Sequence, residues 1–299
     1  MKNIIFLLTV LSLVACSKGG MEHDAMGTFE ATEIIVSAEQ TGKLMYFDAE
    51  EGVKLAKGEQ VGLIDTVQLQ LRAMRLGATK EVYASQRPDI NKQLAVTKQQ
   101  LEKAELEVKR YSALVRDNAA NRKQLDDAES GVRVLRRQLD AQLSQLSNTT
   151  GSLNRQMDAA EIERWQVVDQ LRKCRITSPI GGTVLEKYAE AGEYAVPGKP
   201  LFKIADVSDM TLRVYVTAPQ LTSLKIGQQV KVYADLGEDG CHEYKGVVSW
   251  ISDKAEFTPK TIQTRDERAN LVYAVKVKVK NTDGMLKIGM YGEADFLNE

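Results

Sequence analysis

The sequence contains few of the residues that most catalytic and metal sites use. Its 299 residues include only two histidines and three cysteines. Cys16, Cys174 and Cys241 are spaced neither like a disulfide framework nor like a zinc site. Carboxylates are numerous, but none of them forms an acid/base pair within a pocket motif. We therefore expect a protein that is not an enzyme and that needs no cofactor or metal.

An excess of charge of one sign is also missing. Forty lysines and arginines balance 41 aspartates and glutamates, for a net charge of −1, so a nucleic-acid partner is not predicted. Aromatic residues make up only 6% of the chain. Its two tryptophans, Trp165 and Trp250, are expected to pack within a helix and a strand. Residues 67–172 hold three glycines and one proline, Pro88, a composition typical of long helices.

The same stretch carries apolar residues at heptad spacing on both sides of one interruption near 117–121. The first arm has the rows Leu69, Leu76, Tyr83, Ile90, Thr97, Ala104, Tyr111 and Ala73, Lys80, Arg87, Leu94, Leu101, Val108, Val115; the second has Leu125, Ala128, Val132, Leu135, Leu139, Leu146, Leu153, Ala160 and Val167. Such spacing predicts helices packed along a narrow seam. A single interruption predicts an antiparallel hairpin with arms of roughly 75 Å, which is a projecting rod. Pro88 predicts a kink or short break in the first arm.

The one strongly apolar run is too short to span a membrane. It extends from Ile4 to Ala15 after a basic start, which is typical of a signal peptide. The run ends in Leu13-Val14-Ala15-Cys16, which resembles the bacterial lipobox. We expect residues 1–15 to be a lipoprotein signal peptide, Cys16 to be lipidated and residues 16–27 to form a tether. An ordinary secretory signal with an incidental cysteine is the alternative.

The segments that flank the rod repeat each other at a constant offset of 140 residues. Three glycines, ten and then six residues apart, occur in both copies: Gly42, Gly52 and Gly58 correspond to Gly182, Gly192 and Gly198. Short strands joined by glycine turns explain this rhythm, and we expect these glycines to need unusual backbone angles. Two such halves resemble the biotinyl/lipoyl fold, although the rod replaces the hairpin that presents the modified lysine in carrier proteins. Residues 28–66 and 174–206 are therefore expected to form one split β-sandwich, with residues 67–173 inserted as the rod.

Residues 207–299 alternate apolar and polar positions in several short runs. The clearest is Leu271–Lys280, with a period of two. Several such strands with tight turns predict a small antiparallel β-barrel. Residues 256–261 are expected to form a loop, and its role is not explained by the sequence. The overall prediction is an elongated α+β protein: a helical hairpin inserted into a split sandwich, followed by a barrel.

This order of elements resembles the periplasmic adaptors of the membrane fusion protein family, in its haemolysin-secretion-D-like branch, over nearly the whole mature chain. The resemblance implies a protein of the Gram-negative periplasm that joins an inner-membrane exporter to an outer-membrane channel of the TolC type. We expect its lipid anchor in the inner membrane, and Ser17, which follows Cys16, leaves the outer membrane open. The resemblance also implies a ring of six copies and a role in efflux or secretion. Little room follows the barrel, which favours an ABC-type exporter.

Three alternatives stay open. The first is an adaptor for a pump of the resistance-nodulation-division or major-facilitator class. The second is a lipid-anchored structural coiled-coil protein of the envelope without a transport role. The third is a subunit of a carrier-type enzyme.

The resemblance further implies a docking site at the tip of the rod. The family pattern is an arginine, a leucine four residues on and a serine seven further. Arg110, Leu114 and Asn121 occupy these places. Asn121 departs from serine, but both residues are good helix N-caps. The alternative is that Leu114 and Asn121 only close the hairpin, with Arg110 on a solvated face.

Overall fold

A computed structural model describes residues 23–235, 241–257 and 271–296. The signal peptide, Cys16 and residues 258–261 of the predicted loop lie outside these ranges. The loop prediction is wrong for Glu256 and Phe257, which belong to a strand and pair with Val272 and Leu271. The strands are β1 (Ala25–Ser37), β2 (Gly42–Phe47), β3 (Lys54–Leu55), β4 (Gln60–Ile64), β5 (Arg175–Thr177), β6 (Gly182–Lys187), β7 (Tyr194–Ala195), β8 (Pro200–Thr217), β9 (Gln229–Asp235), β10 (Cys241–Phe257), β11 (Leu271–Lys280) and β12 (Tyr291–Phe296). The helices are α1 (Val67–Ser85), α2 (Ile90–Arg116), α3 (Arg122–Lys173) and α4 (Ala218–Leu221).

The predicted helical hairpin is confirmed. Helices α1 and α2 run out from the base and α3 returns along both of them. The 52 residues of α3 give a length of about 78 Å. The break expected at Pro88 separates α1 from α2, and Asp89 caps the new helix by accepting a hydrogen bond from the Lys92 N–H at 3.1 Å.

The seam of the hairpin follows the predicted rows. Its buried residues are Leu76, Leu94, Thr97, Val132, Leu153, Ala160 and Val167. Two polar residues on these rows have partners across the seam: Lys80 pairs with Glu161 at 3.1 Å, and the Thr97 hydroxyl donates to Gln142 at 2.8 Å. These two contacts set the axial register between the outgoing and the returning arm of the hairpin.

The sandwich has two layers. One is the sheet β5-β4-β2-β7, and the other is formed by β3, β6 and the halves of β8 and β1 nearest the rod. Five pairs of residues 140 apart are buried between the layers: Leu44/Val184, Ala49/Ala189, Leu55/Ala195, Val61/Leu201 and Ile64/Ile204. The free thiol of Cys174 is buried in the same core, and burial raises its pKa.

Backbone hydrogen bonds between the two halves are reciprocal. The Gly52 N–H donates to the Val184 carbonyl at 2.8 Å, and the Gly192 N–H donates to the Leu44 carbonyl at 2.8 Å. The Gly58 N–H bonds to Ser178 and the Gly198 N–H to Ala38 in the same way, at 2.8 and 2.9 Å. Each half therefore completes the other, as two copies of one motif related by a pseudo-twofold axis would.

The expectation about the glycines is correct for five of the six, including Gly42 with a φ of 158°. Gly52, Gly58, Gly192 and Gly198 have φ between 82° and 94°, a region that favours glycine. It is wrong for Gly182, whose φ is not positive. A Cβ there would lie 2.4 Å from the carbonyl oxygen of Ala205. Gly182 is required because β8 passes so close to β6.

The barrel is a closed ring of six antiparallel strands in the order β1-β12-β9-β10-β11-β8, with β8 paired back to β1. Two of these strands cross the expected domain borders. β1 begins at Ala25, inside the segment expected to be tether, and pairs with the barrel before it enters the sandwich. β8 runs without interruption from Pro200 in the sandwich to Thr217 in the barrel. Two continuous strands thus connect the sandwich to the barrel.

Among the described residues, no helix combines the length and the apolar character that crossing a membrane requires.

Candidate functional site at the hairpin tip

The chain reverses between α2 and α3 in five residues. Asn118 has φ 54°, a left-handed conformation that asparagine tolerates better than most side chains. The Ala119 N–H then donates to the Leu114 carbonyl at 2.8 Å, which satisfies one of the free carbonyls at the helix end. A short reversal of this kind leaves the ends of both helices exposed.

Asn121 caps the start of α3. Its side-chain oxygen accepts from the Lys123 N–H at 3.0 Å, while the Gln124 side chain accepts from the Asn121 N–H at 3.3 Å. This is a capping box, as expected from an asparagine at this position. The amide of Asn121 is therefore engaged in folding, and its remaining surface faces solvent.

Arg110 and Leu114 are one helical turn apart and share a face of α2. The Arg110 side chain is 63% exposed, and its one ion pair, with Glu107, spans 3.5 Å. Exposed pairs of this kind contribute little to stability, so the guanidinium is available to a partner. Leu114 is half-buried. The structure places all three predicted residues at the tip, and within the described ranges their side chains form no hydrogen bond to one another.

Sequence reasoning missed the charge of the tip. Residues 110–123 carry four cationic side chains, Arg110, Arg116, Arg122 and Lys123, against one carboxylate, Asp117, for a net charge of +3. All five are exposed. These charged residues can be read from the sequence, but a search for the three-residue docking pattern does not count them. A cationic end of this kind attracts carboxylates and the free carbonyls at helix C-termini.

The described ranges hold neither a candidate metal site nor a reactive thiol. No group of three or more histidine, cysteine, aspartate or glutamate side chains there could hold a metal ion. The pKa of the buried Cys174 is raised, which makes its thiol a poor nucleophile.

No family model matches the chain. It is 25% identical to a UPF0194 membrane protein of Yersinia enterocolitica, over 97% of this chain and 96% of that protein. Its structure is similar to the crystal structure of MacA from Actinobacillus actinomycetemcomitans, with a TM-score of 0.56 and 22% identity over 90% of this chain and 76% of the other. It also resembles the membrane fusion protein Spr0693 from Streptococcus pneumoniae R6, with a TM-score of 0.50 and 18% identity over 92% and 98% of the two chains.

Proposed function

We propose that this chain is a periplasmic adaptor of a tripartite efflux or secretion system. Its fold is that of the membrane fusion proteins, as its sequence predicts. In this role it joins an inner-membrane exporter, of the ABC type, to an outer-membrane channel of the TolC type. The observation that carries the proposal is the rod itself. A hairpin of about 78 Å ends in an exposed cationic tip and is built into a compact sandwich at its other end.

In this proposal the lipid anchor, the base and the hairpin each have a separate role. Lipid on Cys16 holds the N-terminus at the inner membrane, and the barrel and sandwich form the base above it. The hairpin carries the docking residues away from the base. Strands β1 and β8 each run through both the barrel and the sandwich. The barrel is therefore connected to the sandwich and its rod by continuous strands rather than by a flexible linker.

At the tip, Leu114 supplies an apolar contact and the cations supply hydrogen-bond donors. The end of a channel built from helices presents free carbonyl groups and the negative end of the helix dipole. Such a surface is complementary to the net charge of +3 on residues 110–123. Docking of this kind weakens as ionic strength rises, because exposed charges are screened.

The docking proposal is tested by site-specific crosslinking in cells. A photoreactive residue placed at Leu114 or at Asn121 should capture an outer-membrane channel protein. The same residue at Leu143, which is exposed in the middle of α3, should not. Capture at neither tip position in cells that export normally would favour the envelope-spacer alternative.

The exporter class is tested separately. Purification of the intact assembly in detergent should recover an ATPase and a multispanning permease together with the adaptor. Recovery of a proton-driven pump of the resistance-nodulation-division or major-facilitator class would instead support the adaptor role with a different partner.

Replacing Cys16 with serine should release the protein from the membrane. The thiol is the attachment point for lipid, and stable anchoring requires more than one acyl chain. After lysis, Cys16→Ser protein should move from the membrane pellet to the soluble fraction, with α-helix content unchanged by circular dichroism. Ser17→Ala, which leaves the thiol in place, is the matched control and should remain in the pellet. Membrane attachment of the Cys16→Ser protein would contradict the lipoprotein assignment.

A further inference from the structure

The barrel carries the same tight turn at both of its ends. Residues 224–227 and 286–289 both read Leu-Lys-Ile-Gly. In each turn the leucine is buried in the barrel core, and the glycine has a positive φ and donates a hydrogen bond of 2.8 Å to another strand. The first turn leads into β9 and the second into β12. Because β9 and β12 are antiparallel, the two turns lie at opposite ends of the barrel.

The isoleucines of the two turns differ in exposure. Ile288 lies at the sandwich end, where it lines a cleft together with Lys54 and Leu55 of β3, and it is 36% exposed. Ile226 lies at the end away from the sandwich and is 69% exposed. The outer turn therefore presents an apolar side chain that the described residues leave uncovered.

Two more apolar side chains are exposed next to Ile226. The glycine of its turn donates to the Val248 carbonyl, which places the turn against β10. Val248 points into the core, so Val247 before it points outward. A one-residue bulge then puts Trp250 on the same outer face, past the start of β9 and thus at the rim. Val247 and Trp250 are 42% and 40% exposed, and we call Ile226, Val247 and Trp250 the rim patch.

Lysines surround the rim patch. One precedes Ile226 in its turn, two lie beside Val247 on β10 and β11, and one lies 5.6 Å from the centre of the Trp250 ring: Lys225, Lys245, Lys278 and Lys276. None of these four forms an ion pair with another described residue. Of the three carboxylates on β10, Glu243 and Glu256 are paired with cations of other strands, which leaves Asp253. A tryptophan and aliphatic side chains among lysines are typical of a surface that rests at the interface of an anionic membrane.

The lipid anchor brings a membrane to this end of the barrel. The chain enters the barrel at His23, whose ring nitrogens lie 3.0 and 2.9 Å from two carboxylates of β12. The Gln220 side chain donates to the Asp24 carbonyl at 2.6 Å, which ties this entry point to the connection that carries Ile226. Cys16 lies seven residues before His23, which is at most about 25 Å of extended chain. Lipid on Cys16 therefore keeps the rim within that distance of the bilayer.

The entry point and the rim patch lie on opposite sides of the barrel. In the closed ring of six strands, β10 is three strands away from β1 in either direction. A barrel held only at its entry point could swivel about the tether. Attachment on the opposite side as well would set its orientation, and that of the sandwich and rod joined to it, relative to the membrane.

We infer that the rim patch rests in the interface of the anionic membrane that holds the lipid anchor. The inference rests on the anchor in the proposed function and adds a second attachment, which orients the protein. Three partly inserted side chains bind weakly by themselves, and they act because the anchor gives them a high effective concentration at the membrane. Release of the Cys16→Ser protein is therefore still expected.

Fluorescence of Trp250 tests the contact. The chain has two tryptophans, so Trp165→Phe leaves Trp250 as the only one. The lipidated protein is reconstituted without partners in vesicles of anionic phospholipids with brominated acyl chains. Bromine quenches a tryptophan that reaches the bilayer, so Trp250 should lose much of its emission relative to non-brominated vesicles. Trp250→Phe, which retains the exposed Trp165 on the rod, is the matched control and should keep its emission.

Each other outcome contradicts the inference. Unquenched emission from Trp250 in vesicle-bound protein would overturn it. Quenching of Trp165 as well would show that the rod lies along the membrane, which would also overturn it. A blue shift of Trp250 without quenching, seen only after the exporter is added, would assign the rim patch to the exporter instead. Equal quenching in vesicles of neutral phospholipids would overturn the role given to the lysines.

A failed anchor assignment can be told apart from a failed rim contact. If mass spectrometry finds no lipid on the purified protein, the chain from residue 16 is coupled through the Cys16 thiol to a maleimide lipid, in a Cys241→Ser background. Cys174 is buried and is retained. Quenching of Trp250 in this preparation would support the rim contact although the anchor assignment had failed, and its absence would overturn the contact.

The two turns supply a matched pair of variants. Ile226→Glu places a carboxylate in the rim patch, whereas Ile288→Glu places it in the same turn at the sandwich end. Both are made in the Trp165→Phe background, and circular dichroism checks the fold. Ile226→Glu should lose most of the quenching of Trp250, because a carboxylate is repelled by anionic headgroups and is unfavourable among acyl chains. Ile288→Glu should keep it. Equal quenching in the two variants would overturn the inference.

Discussion

Leu114→Asp is expected to abolish export while leaving the protein folded. Leu114 is half-buried in the last turns of α2, far from the cores of the sandwich and barrel. A carboxylate there is unfavourable in two ways. It stands near the negative end of the α2 dipole, and on docking it would be removed from water without a partner. An unpaired charge buried in an interface costs about 3–5 kcal/mol, which weakens docking by roughly 100-fold to several thousand-fold.

The controls for this prediction come from the same helix. Leu106 is 62% exposed and lies eight residues before Leu114, so Leu106→Asp introduces the same charge away from the tip and should export normally. Arg110→Asp, which replaces an exposed cation of the docking face, should lose export as Leu114→Asp does. Export is measured in cells, and circular dichroism and protease resistance report on folding. Normal export by Leu114→Asp at normal protein levels would show that the tip does not dock a partner.

The rod was predictable in detail because its interactions are local in sequence. Heptad spacing specifies which residues face the seam, and the buried residues Leu76, Leu94 and Leu153 all fall on the predicted rows. Pro88 breaks the outgoing arm where it stands because it lacks the N–H that a helix needs. The repeated glycines likewise fixed the two halves of the sandwich, since each local turn appears twice.

The shared strands were not predictable, because strand pairing is non-local. Nothing in residues 25–27 shows that they pair with β12, some 265 residues later. Nor does β8 contain a glycine or proline turn near residue 206 that would mark where sandwich ends and barrel begins. For this reason the predicted borders at 27/28 and 206/207 fall inside strands β1 and β8.

The position of the candidate site was predicted from the sequence, but its positive charge was not. The interruption at 117–121 and the capping ability of Asn121 placed the tip correctly, since both depend on a few adjacent residues. Its charge arises from Arg116, Arg122 and Lys123, which lie on either side of the reversal and come together only when the hairpin closes. Trp165 was expected to pack but is 62% exposed. Its exposure escaped prediction because heptad rows identify the residues on the seam and do not show how far the side chains away from the seam are covered.

Gly182→Ala is expected to unfold the sandwich, although it adds a single methyl group. A Cβ at this position would lie 2.4 Å from the carbonyl oxygen and 2.8 Å from the carbonyl carbon of Ala205. These are backbone atoms of β8, the strand that runs on into the barrel, so they cannot move aside as a side chain can. Overpacking typically costs 1–3 kcal/mol, and against immobile backbone we expect at least about 3 kcal/mol. At Gly42, an added Cβ would lie 2.7 Å from the side-chain methyl of Ile64, and the φ of 158° is one that other residues rarely adopt, so Gly42→Ala should destabilise the sandwich as well.

Gly131 offers the matched control. It lies within α3, and no atom would come within 4 Å of an added Cβ. The same substitution there should stabilise the protein by about 0.5–1 kcal/mol, because alanine favours helix over glycine. Limited proteolysis should therefore cleave Gly182→Ala within the sandwich and leave Gly131→Ala at least as resistant as the parent. Since the sandwich holds both ends of the rod, Gly182→Ala should also lose export. A Gly182→Ala protein as resistant as the parent would mean that β6 and β8 are not held as closely as the fold requires, and the rod would then lack the rigid base on which its docking role depends.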